Sequence, residues 1–397
     1  MLVSTVELAW RARRGATLGL TGAGRVGVAW RRVIGRKNQL VERWSRGKRE
    51  GLERQGIAVL QGRATLTGPH EVAVGARRLT AERIVIATGS APARPPIEGV
   101  EHALTSTELF DRPTLPGRLD VIGGGYIGLE LAFVFGRAGS RVTVLQSGPD
   151  ILPAADDELR AALVALADDA GIAVHTGARA SRITRGRTVH AEVNGTARRF
   201  SADVVLVATG RPANVAGLGL DAAGVAVERG AVLVNEFRQS PTAPHVYAAG
   251  DANGRHQHTP VAWYEGRLVA ENALQGNRRA ADFGVLPTTT FTIPALAQVG
   301  LTEAEARRRG HRVGVGRAPF ADSAAAGVRE ETEGLVKLVY DEADGRLLGV
   351  HILGAGAEDL IHVGAVALRA GMTRRDLAGM HYVFPTAAGS VFDAASE

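Results

Sequence analysis

A glycine-rich segment, GGGYIG at residues 123–128, constrains the fold more than any other feature of the sequence. The apolar run LDVI (119–122) precedes it, and LELAFVFGRAG (129–139) follows it with apolar residues at helical spacing and a final glycine. A second apolar run, RVTVLQ (141–146), comes next. Strand, glycine loop, helix and strand within about 30 residues are what a mononucleotide-binding βαβ unit requires. The sequence therefore predicts an α/β, Rossmann-like nucleotide-binding domain.

GGGYIG matches the pattern G-x-G-x-x-G, and the three glycines of that pattern have separate tasks in such a unit. Gly123 makes the tight turn, Gly125 lets a pyrophosphate approach the backbone, and Gly128 lets the helix pack closely on the strand. Tyr126 and Ile127 begin the helix, whose N-terminal N–H groups and dipole favour negative charge. We therefore expect these residues to bind a dinucleotide.

A second G-x-G-x-x-G match, GAGRVG at residues 22–27, lacks this context. The upstream segment ELAWRARRGATLGLT indicates an amphipathic helix and its exit, not a buried strand. The downstream segment VAWRRVIGRKNQLVERW indicates a basic helix with no strand after it. We expect a flexible loop between two helices here, and not a dinucleotide site.

The basic charge of the chain does not indicate a nucleic-acid-binding protein. The net charge is +6, but arginine dominates, and lysine occurs only at Lys37, Lys48 and Lys337. This bias is more typical of genome-wide composition than of a binding surface. The most basic stretch, 25–54, also contains glutamates and is expected to be a solvated helix face. We expect no nucleic-acid partner.

The sequence lacks cysteine and long apolar runs, and both facts limit the chemistry and the cellular location that we expect for this protein. There is no cysteine, which excludes disulfides, thiolate metal sites and thiol redox catalysis within these residues. No apolar run approaches 18 residues, so no membrane span is expected, and a cytoplasmic location is the default expectation. His256 and His258 form an H-x-H pair without an evident third ligand, so no metal site is expected.

Two distant stretches of the chain share one pattern. IVIATGSAPARP (84–95) and VLVATGRPAN (205–214) each contain an apolar strand, Ala-Thr-Gly and a proline exit, as two related nucleotide-binding domains would. From residue 286 the pattern changes to short strands with few helices between them. That change predicts a mainly antiparallel sheet and an α+β domain.

With these motifs in view, the chain resembles the FAD-dependent pyridine nucleotide–disulfide oxidoreductases of class I, the group that includes glutathione reductase, dihydrolipoamide dehydrogenase and mercuric reductase. The motifs ATGSAPARPPIEG, VIGGGYIGLELA, ATGRPAN, SPTAPHVYAAGD and QVGLTEAEA occur in the family's order. The resemblance implies two Rossmann-like domains, an FAD domain interrupted by an NAD(P)H domain, and a C-terminal dimerisation domain. The implied boundaries are 1–112 and 210–285 for the FAD domain, 113–209 for the NAD(P)H domain, and 286–397 for the dimerisation domain.

The resemblance also implies roles for individual residues. Glu130 matches the family glutamate near the flavin, although an ordinary surface glutamate is the alternative. Asp251 matches the aspartate that binds the FAD ribityl hydroxyls, and its alternative role is a helix cap. The other expected cofactor-binding residues lie in the two Ala-Thr-Gly segments and before Asp251: Thr88, Gly89, Gly210 and Gly250.

The nicotinamide preference depends on the residue that ends the second strand of the βαβ unit. NAD-specific members carry an acidic residue there, on the ribose 2′-hydroxyl. Gln146 occupies this position, 18 residues after Gly128. A neutral amide does not repel a 2′-phosphate, although the following SGPD offers no arginine to bind one. We therefore expect FAD and NAD(P)H as cofactors, with NADPH weakly favoured.

Two departures from the family bear on the reaction. Family members begin with a strand, a glycine loop and a helix that bind the ADP half of FAD, followed by a C-x4-C pair and a lysine, and this sequence shows none of them. Phe384, in FPTAAG, occupies the position of the family's acid–base histidine, and His381 lies off the motif.

From these departures we expect a homodimeric flavoprotein that passes electrons to an unknown small-molecule acceptor without the usual thiol relay. Mercuric-reductase-like and quinone-reductase-like acceptors are both open. An inactive or poorly FAD-binding member of the family is the alternative. The missing lobe further suggests that the functional protein begins upstream of Met1 or has lost that lobe.

Overall fold

The computed structural model describes residues 1–397 as 11 α-helices and 19 β-strands. The helices are α1 (Leu2–Arg14), α2 (Trp30–Arg54), α3 (Ser106–Phe110), α4 (Tyr126–Ala138), α5 (Asp157–Asp169), α6 (Thr259–Gln275), α7 (Glu303–Arg308), α8 (Ala324–Arg329), α9 (Ala357–Arg369), α10 (Arg374–Ala378) and α11 (Gly389–Ser396). The strands are β1 (Ala64–Gly68), β2 (Glu71–Val74), β3 (Arg77–Thr80), β4 (Ile84–Ile86), β5 (Arg118–Ile122), β6 (Arg141–Leu145), β7 (Ile172–His175), β8 (Ala178–Ile183), β9 (Thr188–Val193), β10 (Thr196–Ser201), β11 (Val204–Val207), β12 (Val227–Glu228), β13 (Ala231–Val232), β14 (Val246–Ala248), β15 (Thr288–Thr290), β16 (Ala295–Gly300), β17 (Val313–Pro319), β18 (Leu335–Asp341) and β19 (Leu347–Gly354).

The chain divides into two compact units. The first consists of residues 1–38, 94–209 and 284–397, and the second of residues 39–93 and 210–283. The domain boundaries implied by the family resemblance stay predictions.

A parallel sheet in the first unit has the strand order β11–β5–β6–β7. Strand β5 is buried over Leu119–Ile122, as an apolar strand covered on both faces should be. Helix α4 follows it and ends at Gly139, whose φ of 118° lies in the left-handed region that suits a helix C-cap. The βαβ unit predicted from GGGYIG is therefore confirmed.

The helices of this unit pack on the parallel sheet through large apolar side chains. Phe133 and Phe135 of α4 are fully buried, and the Trp30 ring lies 4.8 Å from the ring of Phe135. Helix α1 buries Trp10 beside α4, with the guanidinium of Arg137 4.9 Å from the indole. Residues 22–27 lie between α1 and α2, and no strand leads into them, which confirms the position between two helices predicted for GAGRVG.

The C-terminal part of the first unit contains a five-stranded antiparallel sheet with the order β15–β16–β19–β18–β17. This confirms the predicted antiparallel α+β region. Strand β17 was not predicted, because its alternate residues include Gly314 and Gly316 instead of large apolar side chains. The Tyr340 ring and the Ala394 carbonyl occupy the space where these glycines would carry a Cβ.

A buried ion network joins the α5 region to this antiparallel sheet. The ammonium of Lys337 on β18 lies 2.9 Å from Asp156 Oδ1, 3.2 Å from Glu158 Oε2 and 2.9 Å from Glu303 Oε2. Burial works to lower the pKa of Lys337, but the carboxylates of Glu303 and Asp156 raise it above its ordinary value. Asp156 also caps α5 by accepting the Glu158 N–H at 3.1 Å.

The second unit is built from smaller sheets. Strands β4 and β14 pair in parallel, β1–β2–β3 form an antiparallel sheet, and β12 pairs with β13. The apolar segment HVYAAGD (245–251) predicts a strand over its whole length, but strand β14 ends at Ala248. The reason is that Gly250, with φ of 66°, leaves the extended conformation and starts a 3₁₀ turn over Gly250–Asn253.

The Lys337 network predicts a large loss of stability when the ammonium is removed. Lys337→Met should lower the free energy of unfolding by about 3–5 kcal/mol, because it leaves three carboxylates close together around a buried position. Lys48→Met, at an exposed lysine, should change it by less than about 0.5 kcal/mol. Urea unfolding of both variants measures the difference, and equal effects would contradict the account of the network.

Buried Asp120 on β5 predicts a stability that depends on pH. Burial raises the pKa of this carboxyl from 3.8 to about 6, against smaller lowering effects of Thr143 and Arg118. Since the folded state then holds its proton more tightly, ionisation costs stability as the pH rises from about 4 to 6, and the cost stays above that. Asp120→Asn should therefore raise the free energy of unfolding at pH 8 by up to about 3 kcal/mol.

The same substitution should have little effect near pH 3.5, where the Asp120 carboxyl is mainly protonated in both the folded and the unfolded state. Exposed Asp168→Asn is the matched control. A stabilisation by Asp120→Asn that does not change between pH 3.5 and pH 8 would show that ionisation of Asp120 is not its cause.

Candidate functional site

The glycine loop of the first unit is shaped by two close backbone contacts. Gly123 has φ of 115°, and a Cβ at this position would overlap the Ala208 carbonyl of the neighbouring strand segment. A Cβ at Gly128 would overlap the carbonyl of Gly123 itself. These contacts bring the first turn of α4 onto the end of β5, as expected for the first and third glycines of the motif.

Gly125 differs from the other two glycines because the space beside it is open. A Cβ at Gly125 would meet no protein atom within 4 Å, and its φ of −78° is not strained. Gly125 is the N-cap of α4, no side chain caps this helix end, and the first turn contains no acidic residue. An open, electropositive helix N-terminus fits a pyrophosphate. Tyr126 and Ile127 provide the first helical backbone here.

Gln146 contacts the glycine loop directly. Its Oε1 accepts a hydrogen bond from the Gly124 N–H at 2.9 Å, and the Gly124 carbonyl accepts one from the Leu152 N–H at 3.0 Å. The segment that follows β6 therefore fixes the middle of the loop from both sides. Because the Gln146 oxygen is used by Gly124, the side chain presents its NH₂ group as a donor.

Glu130, one turn further along α4, is not an ordinary surface residue. It is half-buried, and its Oε1 accepts a hydrogen bond from the backbone N–H of Phe291 at 3.0 Å. Burial raises the pKa of Glu130, and the contact with Phe291 lowers it by less. Glu130 is thus partly withdrawn from solvent and held by the backbone, and its role beside a flavin stays a prediction.

The second unit contains the residues expected to bind FAD. Asp251 lies beyond the carboxyl end of β14, and its Oδ2 accepts a hydrogen bond from the Ser90 hydroxyl at 2.5 Å. The Gly250 N–H donates to Oε2 of buried Glu265 at 2.7 Å, and Glu265 Oε1 lies 2.8 Å from Nε of Arg238. The helix-cap alternative for the Asp251 side chain is not observed, since that carboxylate contacts Ser90.

Gly89 and Gly210, the last residues of the two Ala-Thr-Gly segments, both lie in this unit. The carbonyl of Gly89 accepts the Asn214 N–H at 2.8 Å, and the carbonyl of Gly210 accepts the Ala93 N–H at 3.0 Å. Thr88 precedes Gly89, which has φ of 70° and no protein atom within 4 Å of an added Cβ. Because β4 and β14 are parallel neighbours, the residues after them lie at one edge of the sheet.

The predicted residues thus form two groups. One group, in the first unit, contains the glycine loop, Gln146 and Glu130, and the other, in the second unit, contains Thr88, Gly89, Gly210, Gly250 and Asp251. Sequence reasoning missed two side chains that the structure links to Asp251: Ser90, which donates to its Oδ2, and Arg211, whose Nε donates to the Ser90 hydroxyl at 2.9 Å. Each directly follows an Ala-Thr-Gly, and that repeated position is the signal that could have identified them.

The residues present fit the two expected cofactors to different extents. The open space at Gly125 and the uncapped start of α4 fit the pyrophosphate of a dinucleotide. In the second unit, Asp251 and the open backbone at Gly89 fit a polyhydroxylated chain such as the ribityl of FAD. The segment 22–27, between two helices, does not fit a pyrophosphate in the way that 123–128 does.

Comparison with known families agrees with this geometry. The family described as "Pyridine nucleotide-disulphide oxidoreductase" matches residues 11–266, and the family described as "Pyridine nucleotide-disulphide oxidoreductase, dimerisation domain" matches residues 286–395. The chain belongs to the pyridine nucleotide-disulphide oxidoreductase family. Family members use FAD and NAD(P)H.

Individual members of the family are similar over most of this chain. A mercuric reductase from Bacillus cereus is 35% identical over 384 residues, which are 95% of this chain and 60% of that protein. A glutathione reductase from Burkholderia cepacia is 34% identical over 361 residues, 91% of this chain and 80% of that protein. The Cu(II) complex of the HOCl-induced flavoprotein disulfide reductase RclA from Escherichia coli matches with a TM-score of 0.88 and 28% identity, over 100% of this chain and 88% of that chain.

Two further structural findings bear on binding partners. No helix is long and apolar enough to cross a membrane. No group of three or more His, Cys, Asp or Glu side chains is placed to hold a metal ion.

The glycine loop predicts a specific effect of one substitution. Gly125→Val should weaken NADPH and NADH binding at least about tenfold, because the new side chain fills the space assigned to the pyrophosphate. Gly24→Val, in the glycine pattern at residues 22–27, is the matched control: a Cβ there also meets no protein atom within 4 Å, so neither variant should disturb the fold. Isothermal titration of both variants measures the effect, and equal losses would place the binding site elsewhere.

Proposed function

We propose that this chain is an NAD(P)H-dependent flavoprotein oxidoreductase that transfers hydride from NAD(P)H to FAD and electrons onward to a small-molecule acceptor. The observation that carries the proposal is the open N-terminus of α4 at Gly125, within a βαβ unit, in a member of a family that uses FAD and NAD(P)H. The match covers 60% of the mercuric reductase from Bacillus cereus, so we do not propose that this chain has the whole activity of that protein.

The NAD(P)H site would work through backbone groups. The N–H groups and dipole of α4 would bind the pyrophosphate, and Gly123 and Gly128 would keep the helix close to β5. Gln146 would present its NH₂ group toward the ribose that carries the 2′-substituent. A donor suits the acceptor oxygens of a 2′-phosphate, which supports the weak preference for NADPH.

The flavin site would work through Asp251 and the two Ala-Thr-Gly segments. When bound, FAD would supply the two-electron chemistry that the side chains lack. Asp251 would accept hydrogen bonds from the ribityl hydroxyls, and the exposed backbone at Gly89 would allow close approach. Glu130, half-buried and with a raised pKa, would act near the reacting ring as a group that holds or releases a proton.

The acceptor would receive electrons without a thiol relay. The chain contains no cysteine, and Phe384 at the position of the acid–base histidine cannot transfer a proton. Mercuric-reductase-like and quinone-reductase-like acceptors both stay open. The match of residues 286–395 to a dimerisation domain supports a homodimer. A cytoplasmic location also stays a prediction.

One observation favours a second possibility, a family member that binds FAD poorly or is inactive. The second unit offers Asp251 for the ribityl chain, but its parallel sheet has two strands and no glycine loop at a helix N-terminus for the FAD pyrophosphate. One or two hydrogen bonds, at roughly 1 kcal/mol each, do not hold a large cofactor. Flavin absorbance of the purified protein separates the two possibilities.

The proposal predicts a selective pattern of activities. With FAD added, the protein should reduce quinones or redox dyes at the expense of NAD(P)H, because these acceptors need no thiol. It should not reduce glutathione disulfide or lipoamide above an enzyme-free control. The loss of NAD(P)H absorbance at 340 nm, followed with each acceptor in turn, measures quinone or dye reduction and disulfide reduction. Disulfide reduction would contradict the absence of a thiol relay, and no reduction of any acceptor would favour the inactive alternative.

A further inference from the structure

Ser90 lies between a carboxylate and a guanidinium in the second unit. Its hydroxyl is 2.5 Å from Asp251 Oδ2 and 2.9 Å from Nε of Arg211. The Ser90 carbonyl also accepts a hydrogen bond from Nη2 of Arg211 at 2.8 Å. All three side chains are half-buried, so water screens these contacts only in part.

The protons of this network can be assigned from its chemistry. A guanidinium can only donate, so the Arg211 Nε–H donates to the Ser90 oxygen. The hydroxyl of Ser90 has one proton, and the carboxylate of Asp251 can only accept when ionised. The Ser90 proton must therefore point at Asp251 Oδ2. The result is a directed chain of hydrogen bonds from Arg211 through Ser90 to Asp251.

This chain of hydrogen bonds leaves one oxygen of the Asp251 carboxylate available. Asp251 Oδ2 is occupied by Ser90, whereas Oδ1 accepts no hydrogen bond from the protein. A hydroxyl-bearing ligand would supply the donor that Oδ1 lacks. Since Ser90 fixes the rotation of the carboxylate, the direction of Oδ1 is set before a ligand arrives, which reduces the ordering that binding requires.

The segment that contains Arg211 is itself held by neighbouring backbone and side-chain groups. The Ala91 N–H donates to the carbonyl of Pro212 at 3.1 Å, and Gln257 Nε2 donates to the carbonyl of Arg211 at 2.6 Å. Ser90 and Ala213 form a further antiparallel bridge. The two segments that follow the Ala-Thr-Gly motifs therefore act as one support for the Arg211–Ser90 pair.

We propose that Ser90 and Arg211 are positioning residues that hold Asp251 ready to accept a hydroxyl of the flavin ribityl chain. This inference rests on the proposed FAD-dependent function and deepens it. Neither residue needs to touch the reacting ring: Arg211 acts through Ser90, and Ser90 acts through Asp251.

Equilibrium FAD binding, followed by quenching of FAD fluorescence, tests the proposal with four variants of the full chain. Ser90→Ala should weaken FAD binding about tenfold, since it removes one hydrogen bond to a charged group. Ser90→Thr keeps the hydroxyl and should bind within about twofold of the natural chain. The double variant Ser90→Ala/Asp251→Asn should bind FAD no more weakly than Asp251→Asn alone, because Ser90 acts only through Asp251.

The outcomes separate this inference from the proposed function. Unchanged FAD affinity in Ser90→Ala, or a further tenfold loss when it is added to Asp251→Asn, would overturn the positioning role while leaving flavin binding intact. Failure of the natural chain to bind FAD would overturn both. NADPH affinity should be the same in all four variants, and its loss would show that the substitutions damage the fold and that Ser90 is a structural residue.

Discussion

The first unit depends on the close approach of helix α4 to strand β5. That approach is possible because Gly123 and Gly128 have no side chains: a Cβ on either would overlap a backbone carbonyl, that of Ala208 or of Gly123. The same contact brings the uncapped helix N-terminus to the end of the sheet, beside the open space at Gly125. The packing that stabilises the fold and the site proposed to bind a pyrophosphate therefore arise from one backbone arrangement.

Charged groups inside the protein are used for structure as well as for binding. Lys337 collects the carboxylates of Asp156, Glu158 and Glu303, and Glu265 binds both the Gly250 N–H and Arg238. Buried ions of this kind contribute little net stability compared with apolar packing, but they are costly to leave unpaired. They fix the geometry of the residues around them, and in the second unit the residues fixed in this way are those next to Asp251.

The sequence predicted the parts of the molecule that depend on local patterns. The βαβ unit, the helices around residues 22–27 and the antiparallel C-terminal sheet follow from periodicity and glycine positions, and all are observed. Features that depend on distant partners could not be predicted in this way. Strand β17 has glycines where Tyr340 and Ala394 fill the space. The Gly250 N–H meets Glu265, and Ser90 meets Arg211, only after folding.

We propose above all that the pyrophosphate of NAD(P)H binds at the N-terminus of α4. A crystal structure of the chain with NADPH tests it most directly. We expect the pyrophosphate oxygens within hydrogen-bond distance of the backbone N–H groups that follow Gly125, with the ribose beside Gln146. A dinucleotide bound at residues 22–27, or anywhere else with the Gly125 surface exposed to solvent, would contradict the account.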